Sequence, residues 1–154
     1  VSRVTNFEEI FQGMNTFNSN ISRWDTSSAT SFARLFYGAI EFEQNLGEWN
    51  VERVQNFQET FRSAEAFTGF GLETWNTASA TTMDYMFGYS GIRDDSIVAW
   101  NTSKVLNMRR MLSFCSNFDA DLSEWNVASV TDFWNMFIGT NISNCSRYHI
   151  GTFA

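Results

Sequence analysis

Proline is absent from the 154 residues, and histidine occurs once. At an average usage of about 5%, a chain of this length carries roughly seven or eight prolines. Having none fits a ladder in which every backbone N–H is needed as a donor. The lone His149 has no metal-ligand spacing around it. There is no phosphate-cradling Gly loop, no nucleophile elbow and no Cys-x-x-Cys. Carboxylates are scattered rather than paired in an apolar cleft. A non-enzymatic chain without a cofactor is therefore expected. Basic residues are also few: 10 Lys and Arg against 17 Asp and Glu give a net charge of −7. Nucleic acid and anionic membranes both need clustered Lys and Arg, so neither is an expected partner. No apolar run approaches the ~20 residues of a membrane span. Two cysteines, Cys115 and Cys145, are too few for a disulfide scaffold.

Tryptophan and phenylalanine are abundant, six and 16 residues. The tryptophans reveal a period. Trp24, Trp49, Trp75, Trp100 and Trp125 stand 25, 26, 25 and 25 residues apart. Each repeat is numbered here from its Trp as zero. Position +1 is Asp25, Asn50, Asn76, Asn101 or Asn126, and position −3 is Ile21, Leu46, Leu72, Ile97 or Leu122. Positions +8 and +12 are apolar throughout. Val4 to Ile21 obey the same register, as if a Trp stood just before Val1. The repeats are read as about 1–23, 24–48, 49–74, 75–99, 100–124 and 125–137, with a divergent C-terminal cap over 138–154. Val1 is not Met and falls inside a repeat, so a longer parent is expected.

The two halves of each repeat differ in spacing. In [LI]-x-x-W-x-[VT] the last two apolar positions are two apart, the period of a strand with one buried face. Later apolar positions, at +8, +11, +12 and +15, follow helical spacing. Thr5, Thr30, Thr81 and Thr131 stand where N-caps would start a helical turn, and Thr5 with Glu8 resembles a capping box. The expectation is an α/β solenoid of about six strand-turn-helix units with a parallel sheet, strands ~4.8 Å apart.

The strand segment has the spacing of the leucine-rich-repeat core, L-x-x-L-x-L. With its later Phe and Met columns, the chain resembles the BspA-like leucine-rich repeat surface proteins. More closely, residues 1 to about 137 resemble the W-[DN]-[VT]-S-x-V-T-x-M-x-x-M-F repeats of a related domain family of unknown function. That family occurs in bacterial surface lipoproteins and unicellular algae. The resemblance implies a right-handed solenoid, an extracellular or cell-surface location, adhesion or host contact, and no catalytic residues. Arg93 departs from the pattern, replacing the usual Phe at +18.

The candidate sites follow from this frame. The Trp, Phe and Met columns read as core. The Asp25, Asn50, Asn76, Asn101, Asn126 column supports two readings: an amide ladder bonding from repeat to repeat, or a recognition strip on the sheet face. In the second, Glu48, Glu52 and Glu124 flank the strip, and a protein or glycan ligand binds there. The alternative function is a structural spacer or self-assembling segment, pairing through open repeat ends. Asp94, Asp95, Asp119 and Asp121 form a weak Ca²⁺ candidate against a solvated acidic edge. Trp134 breaks a column that holds Glu8, Ala33, Gln58, Asp84 and Arg109 and should face solvent, so it is either exposed for binding or covered by the tail. Cys115 and Cys145 form a candidate disulfide in an oxidising compartment, against a small buried thiol. Asn20, Asn101, Asn141 and Asn144 begin glycosylation sequons.

Overall fold

The structure, a computed structural model, describes residues 4–93 and 95–142. Two backbone positions decide what each repeat becomes. Position +10 has a positive φ in all six repeats: Glu9 61°, Arg34 54°, Glu59 54°, Tyr85 56°, Arg110 50° and Asn135 56°. Position +14 does the same: Gly13 69°, Gly38 70°, Ser63 58°, Tyr89 61°, Phe114 58° and Gly139 73°. A left-handed residue costs a non-glycine roughly 1–2 kcal/mol. One every fourth residue stops any right-handed helix from running through.

The expected α/β solenoid with a parallel sheet is therefore not what forms. Among the described residues there is no α-helix and no extended strand. The regular pieces are two three-residue 3-10 turns, Leu72–Thr74 and Asp95–Ile97. Besides them stand five isolated parallel bridges, Asn6 to Ser31, Ser31 to Asn56, Asn56 to Thr82, Thr82 to Asn107 and Asn107 to Asp132. All six bridge residues occupy position +7, so successive repeats lie side by side in register.

The backbone hydrogen bonds alternate in direction. Even positions donate along the stack: Phe32 N–H to Asn56 O (2.9 Å), Arg34 to Gln58 (2.9 Å), Phe36 to Thr60 (2.8 Å) and Gly38 to Arg62 (2.8 Å). Odd positions donate three residues back inside the repeat: Leu35 to Phe32 (3.1 Å), Tyr37 to Arg34 (3.1 Å) and Ala39 to Phe36 (3.0 Å). Each repeat is thus a run of overlapping turns whose other amides reach the next repeat. Both sets of N–H groups are used, which is why proline has no place there. The Thr residues expected as N-caps have no helix to cap. Thr81 and Thr131 instead bond back to the preceding repeat, to Gln55 O and Leu106 O, both at 3.1 Å. Glu8 N–H is capped by Asn6, not by Thr5.

The core is built from columns of like side chains. Phe11, Phe36, Phe61 and Phe87 at +12 stack with centroids 5.3, 5.5 and 5.5 Å apart. Phe17, Phe42 and Phe67 at +18 form a second column. Within a repeat the two columns touch, Phe36 on Phe42 at 4.0 Å and Phe61 on Phe67 at 4.1 Å. Where Arg93 leaves the second column, the neighbouring Ile92 is fully buried.

Position +2 joins repeats through hydroxyls. Thr26, Thr77 and Thr102 are buried, and each Oγ1 donates to the +1 carbonyl of the next repeat, at 3.0, 3.1 and 3.0 Å. Val51 holds the same column without a hydroxyl. Thr77→Val is expected to cost about 1 kcal/mol in urea unfolding, because the Asn101 carbonyl loses its donor. Val51→Thr is expected to be near neutral. Equal costs at both positions would show that the hydroxyl does not matter.

Candidate functional site

The Asn/Asp column is engaged in local turns. Each side-chain Oδ1 accepts the backbone N–H two residues on: Asp25 from Ser27, Asn50 from Glu52, Asn76 from Ala78, Asn101 from Ser103 and Asn126 from Ala128, all within 3.0–3.2 Å. The ladder reading, with amides bonding from repeat to repeat, gives way to this Asx turn. The sheet face on which the recognition strip was expected does not form, since there is no sheet among the described residues. Glu48, Glu52 and Glu124 are exposed beside the column.

The remaining sequence candidates are scattered. Asp95, Asp119 and Asp121 are exposed, and Asp121 Oδ1 caps the Ser123 N–H at 3.0 Å. Asp94 lies outside the described residues. Among the described residues no three His, Cys, Asp or Glu side chains come together as metal ligands would. Asn20 and Asn101 are exposed, and Asn141 Nδ2 donates to Ser116 O. Asn144, Cys145 and His149 lie outside the described residues, as does most of the expected cap.

Cys115 is a free thiol, fully buried, and its Sγ donates to Phe87 O at 2.9 Å. Burial pushes the thiol from 9.0 up to about 11, with Ser90 pulling the other way. The folded state therefore holds this proton where the unfolded chain loses it. Stability from this group is full below pH ~9 and falls as pH rises to about 11. The expected loss is roughly 2–3 kcal/mol. Urea unfolding at several pH values should show that slope in the native chain and not in Cys115→Ala. Identical slopes would clear the thiol of any part in it.

An arrangement that no single sequence column announces runs across five repeats. Tyr37, Arg62, Tyr85, Arg110 and Trp134 alternate ring and guanidinium, one per repeat. Arg62 lies 5.2 Å from the Tyr37 ring centre and 4.1 Å from that of Tyr85. Arg110 lies 5.5 Å from Tyr85 and 4.3 Å from Trp134. Arg109 adds a second guanidinium over Trp134 at 4.6 Å. Tyr89 approaches Tyr85 at 6.5 Å and stacks on Phe114 at 4.5 Å. These contacts make one connected strip. It is covered at Tyr85, 8% exposed, and opens toward the last repeats, where Tyr89, Phe114 and Trp134 are 43%, 42% and 50% exposed. Trp134 was the one member with a sequence signal, an indole in a column expected to face solvent. The others lie at +9, +10, +13 and +14, so reading columns one at a time missed them.

The electrostatics change along the strip. Arg34 pairs with Glu9 at 3.2 Å and Glu59 at 2.9 Å, and Arg62 pairs with Glu59 at 3.1 Å. Arg109 and Arg110 enter no ion pair among the described residues. Asp84 is partly buried near Arg109, and burial pushes its carboxyl above the usual range against the pull of that arginine.

Neither a curated protein nor a solved structure matches the chain. A family model described as "Mycoplasma protein of unknown function, DUF285" matches twice, over residues 1–90 and 70–149. With nearly the whole length so covered, the chain belongs to the DUF285 family.

Proposed function

We propose that this chain is a non-catalytic recognition module, and that its contact surface is the ring–arginine strip rather than the Asn/Asp column. The observation that carries the reading is three aromatics of the strip, Tyr89, Phe114 and Trp134, each close to half exposed, the first two stacked and the third linked to them through Arg110 and Tyr85. Exposed rings joined into one surface favour a partner, because burying them yields apolar contact at small entropic cost. Arginine and aromatic residues are also the side chains on which binding energy concentrates. The Asn/Asp column offers less, since each side-chain oxygen already closes a turn. Placement at a cell surface rests on the resemblance to surface repeat proteins.

The test is binding of the whole chain to arrayed glycans and matrix proteins, beside two variants. Trp134→Ala is expected to lose binding while keeping its melting temperature. The triple change Glu48→Lys, Glu52→Lys and Glu124→Lys is expected to keep it. The reverse pattern would return recognition to the columns flanking the tryptophans.

A further inference from the structure

We propose that this chain associates end to end: the last repeat of one copy docks on the first repeat of a second, in the register that joins repeats inside the chain. Association uses the ends of the stack and stands apart from recognition on the strip. The junction it needs occurs five times within the molecule. At each one the N–H groups at +10, +12 and +14 donate to the carbonyls at +9, +11 and +13 of the next repeat, as Arg34 does to Gln58, Phe36 to Thr60 and Gly38 to Arg62. The two ends hold the unused halves of this pattern. In the last repeat the N–H groups of Asn135, Phe137 and Gly139 have no acceptor among the described residues. In the first repeat the carbonyls of Glu8, Ile10 and Gln12 have no donor among them. Three donors on one end thus match three acceptors on the other at the same spacing.

The side chains match as the backbone does. Val4 at +5 and Met14 at +15 are 53% and 50% exposed, while Val54, Val105, Ala64 and Cys115 in the same columns are fully buried. At the other end Val130, Phe133 and Phe137 pack against the core but are only partly buried, in columns that the inner repeats bury. A second copy in register sets Val4 beside Val130 and Phe11 beside Phe137. The +12 ring column, whose inner members stand 5.3–5.5 Å apart, then continues across the junction. Covering these apolar columns drives the contact.

Charge agrees with the direction. The acceptor end carries Glu8 and Glu9. The donor end has Arg109 and Arg110 one repeat in, and neither is in an ion pair among the described residues, unlike Arg34 and Arg62. Like ends do not suit each other, since they would set donors against donors or acceptors against acceptors. The contact is therefore heterologous. Such a contact, repeated, builds an open chain of copies rather than a closed pair.

The experiment is sedimentation velocity of the whole chain over a wide range of concentration. Mass is expected to rise with concentration past two copies. The double change Val4→Lys and Met14→Lys, at sites exposed in the free chain, is expected to keep the melting temperature of the dilute protein. It is expected to weaken association by about tenfold or more, because it sets charge in columns that the junction buries. This variant keeps its last repeat, so an excess of it added to the native chain is expected to shorten the assemblies. Leu106→Lys alters an apolar residue of the fifth repeat, 51% exposed and away from both ends, and is expected to associate as the native chain does. A native chain that stays monomeric at every concentration overturns the inference. So does a mass that stops at two copies, a double variant that associates as the native chain does, or an equal loss in Leu106→Lys.

Discussion

Trp75→Ala is expected to lower the free energy of unfolding by about 3–5 kcal/mol. Trp75 is 4% exposed and stands where several columns meet. Its ring stacks on Trp100 at 6.0 Å and contacts Phe57 and Phe61 at 5.8 and 6.1 Å. Its indole N–H donates to Leu46 O in the preceding repeat at 3.1 Å. Truncation removes the ring's buried area, opens a cavity between two repeats and takes one of two donors from the Leu46 carbonyl, which keeps the Trp49 N–H at 3.1 Å. For a domain of this size the melting temperature should drop by between roughly 6 and 20 °C. Trp75→Phe separates the terms. It keeps an apolar ring and loses the hydrogen bond, at an expected cost of about 1–3 kcal/mol. Trp24 supplies the contrast, being 41% exposed and meeting Phe11 at 5.4 Å. Trp24→Ala is expected to cost clearly less than Trp75→Ala. Equal costs in urea unfolding would mean that the tryptophan column does not draw its stabilisation from burial between repeats.

The repeat and its buried columns were legible in the sequence, because burial repeats with the same period as the residues that supply it. Trp49, Trp75, Trp100 and Trp125 are all within 4% exposure, as expected of a core column. The local conformation was not legible, and the reason is physical. Apolar residues at +8, +11, +12 and +15 suit an α-helix, but they suit overlapping turns just as well. What separates the two is the sign of φ at +10 and +14. At +14 the signal was half present, since Gly13, Gly38 and Gly139 are glycines while Ser63, Tyr89 and Phe114 are not. At +10 it was absent, because Glu9, Arg34 and Tyr85 carry no preference for a left-handed backbone. These side chains hold the conformation only because the neighbouring repeats over-determine it.

A second signal was present and misread. Asn and Asp recur at −4, +1 and +7, and their side-chain oxygens cap the N–H two residues on, as Asn45 does for Gly47, Asn50 for Glu52 and Asn56 for Gln58. Up to three turn-making Asn or Asp residues in a repeat argue for a chain of turns. The candidate surface was hidden for another reason. Its rings and guanidiniums come from different columns in different repeats, and only the stacking brings Tyr85, Arg110 and Trp134 together.

Phe61→Ala is expected to cost about 3–5 kcal/mol, and its larger consequence concerns cooperativity. Phe61 is fully buried at the middle of the stack. It contacts Phe36 and Phe87 in its own column, both at 5.5 Å, and Phe67 in the other at 4.1 Å. A stack of repeats is stable to the extent that each repeat is coupled to its neighbours. Beside the hydroxyl and indole bonds between repeats, coupling here has two continuous carriers, the alternate amide bonds and the ring columns. Phe61→Ala leaves the amides in place and breaks the +12 column between the first three repeats and the last three, while Phe57 still meets Trp75 at 5.8 Å. If the rings carry the coupling, urea unfolding of the variant should broaden, with a lower apparent slope. Amide exchange should then protect the two halves unequally. Phe61→Leu fills the site as Leu112 does in the same column, and should cost only about 1–2 kcal/mol with the slope kept. An Ala variant that loses stability but keeps the native slope would show that the +12 ring column does not carry the cooperativity. That column would then be filling for the core and not the link between repeats.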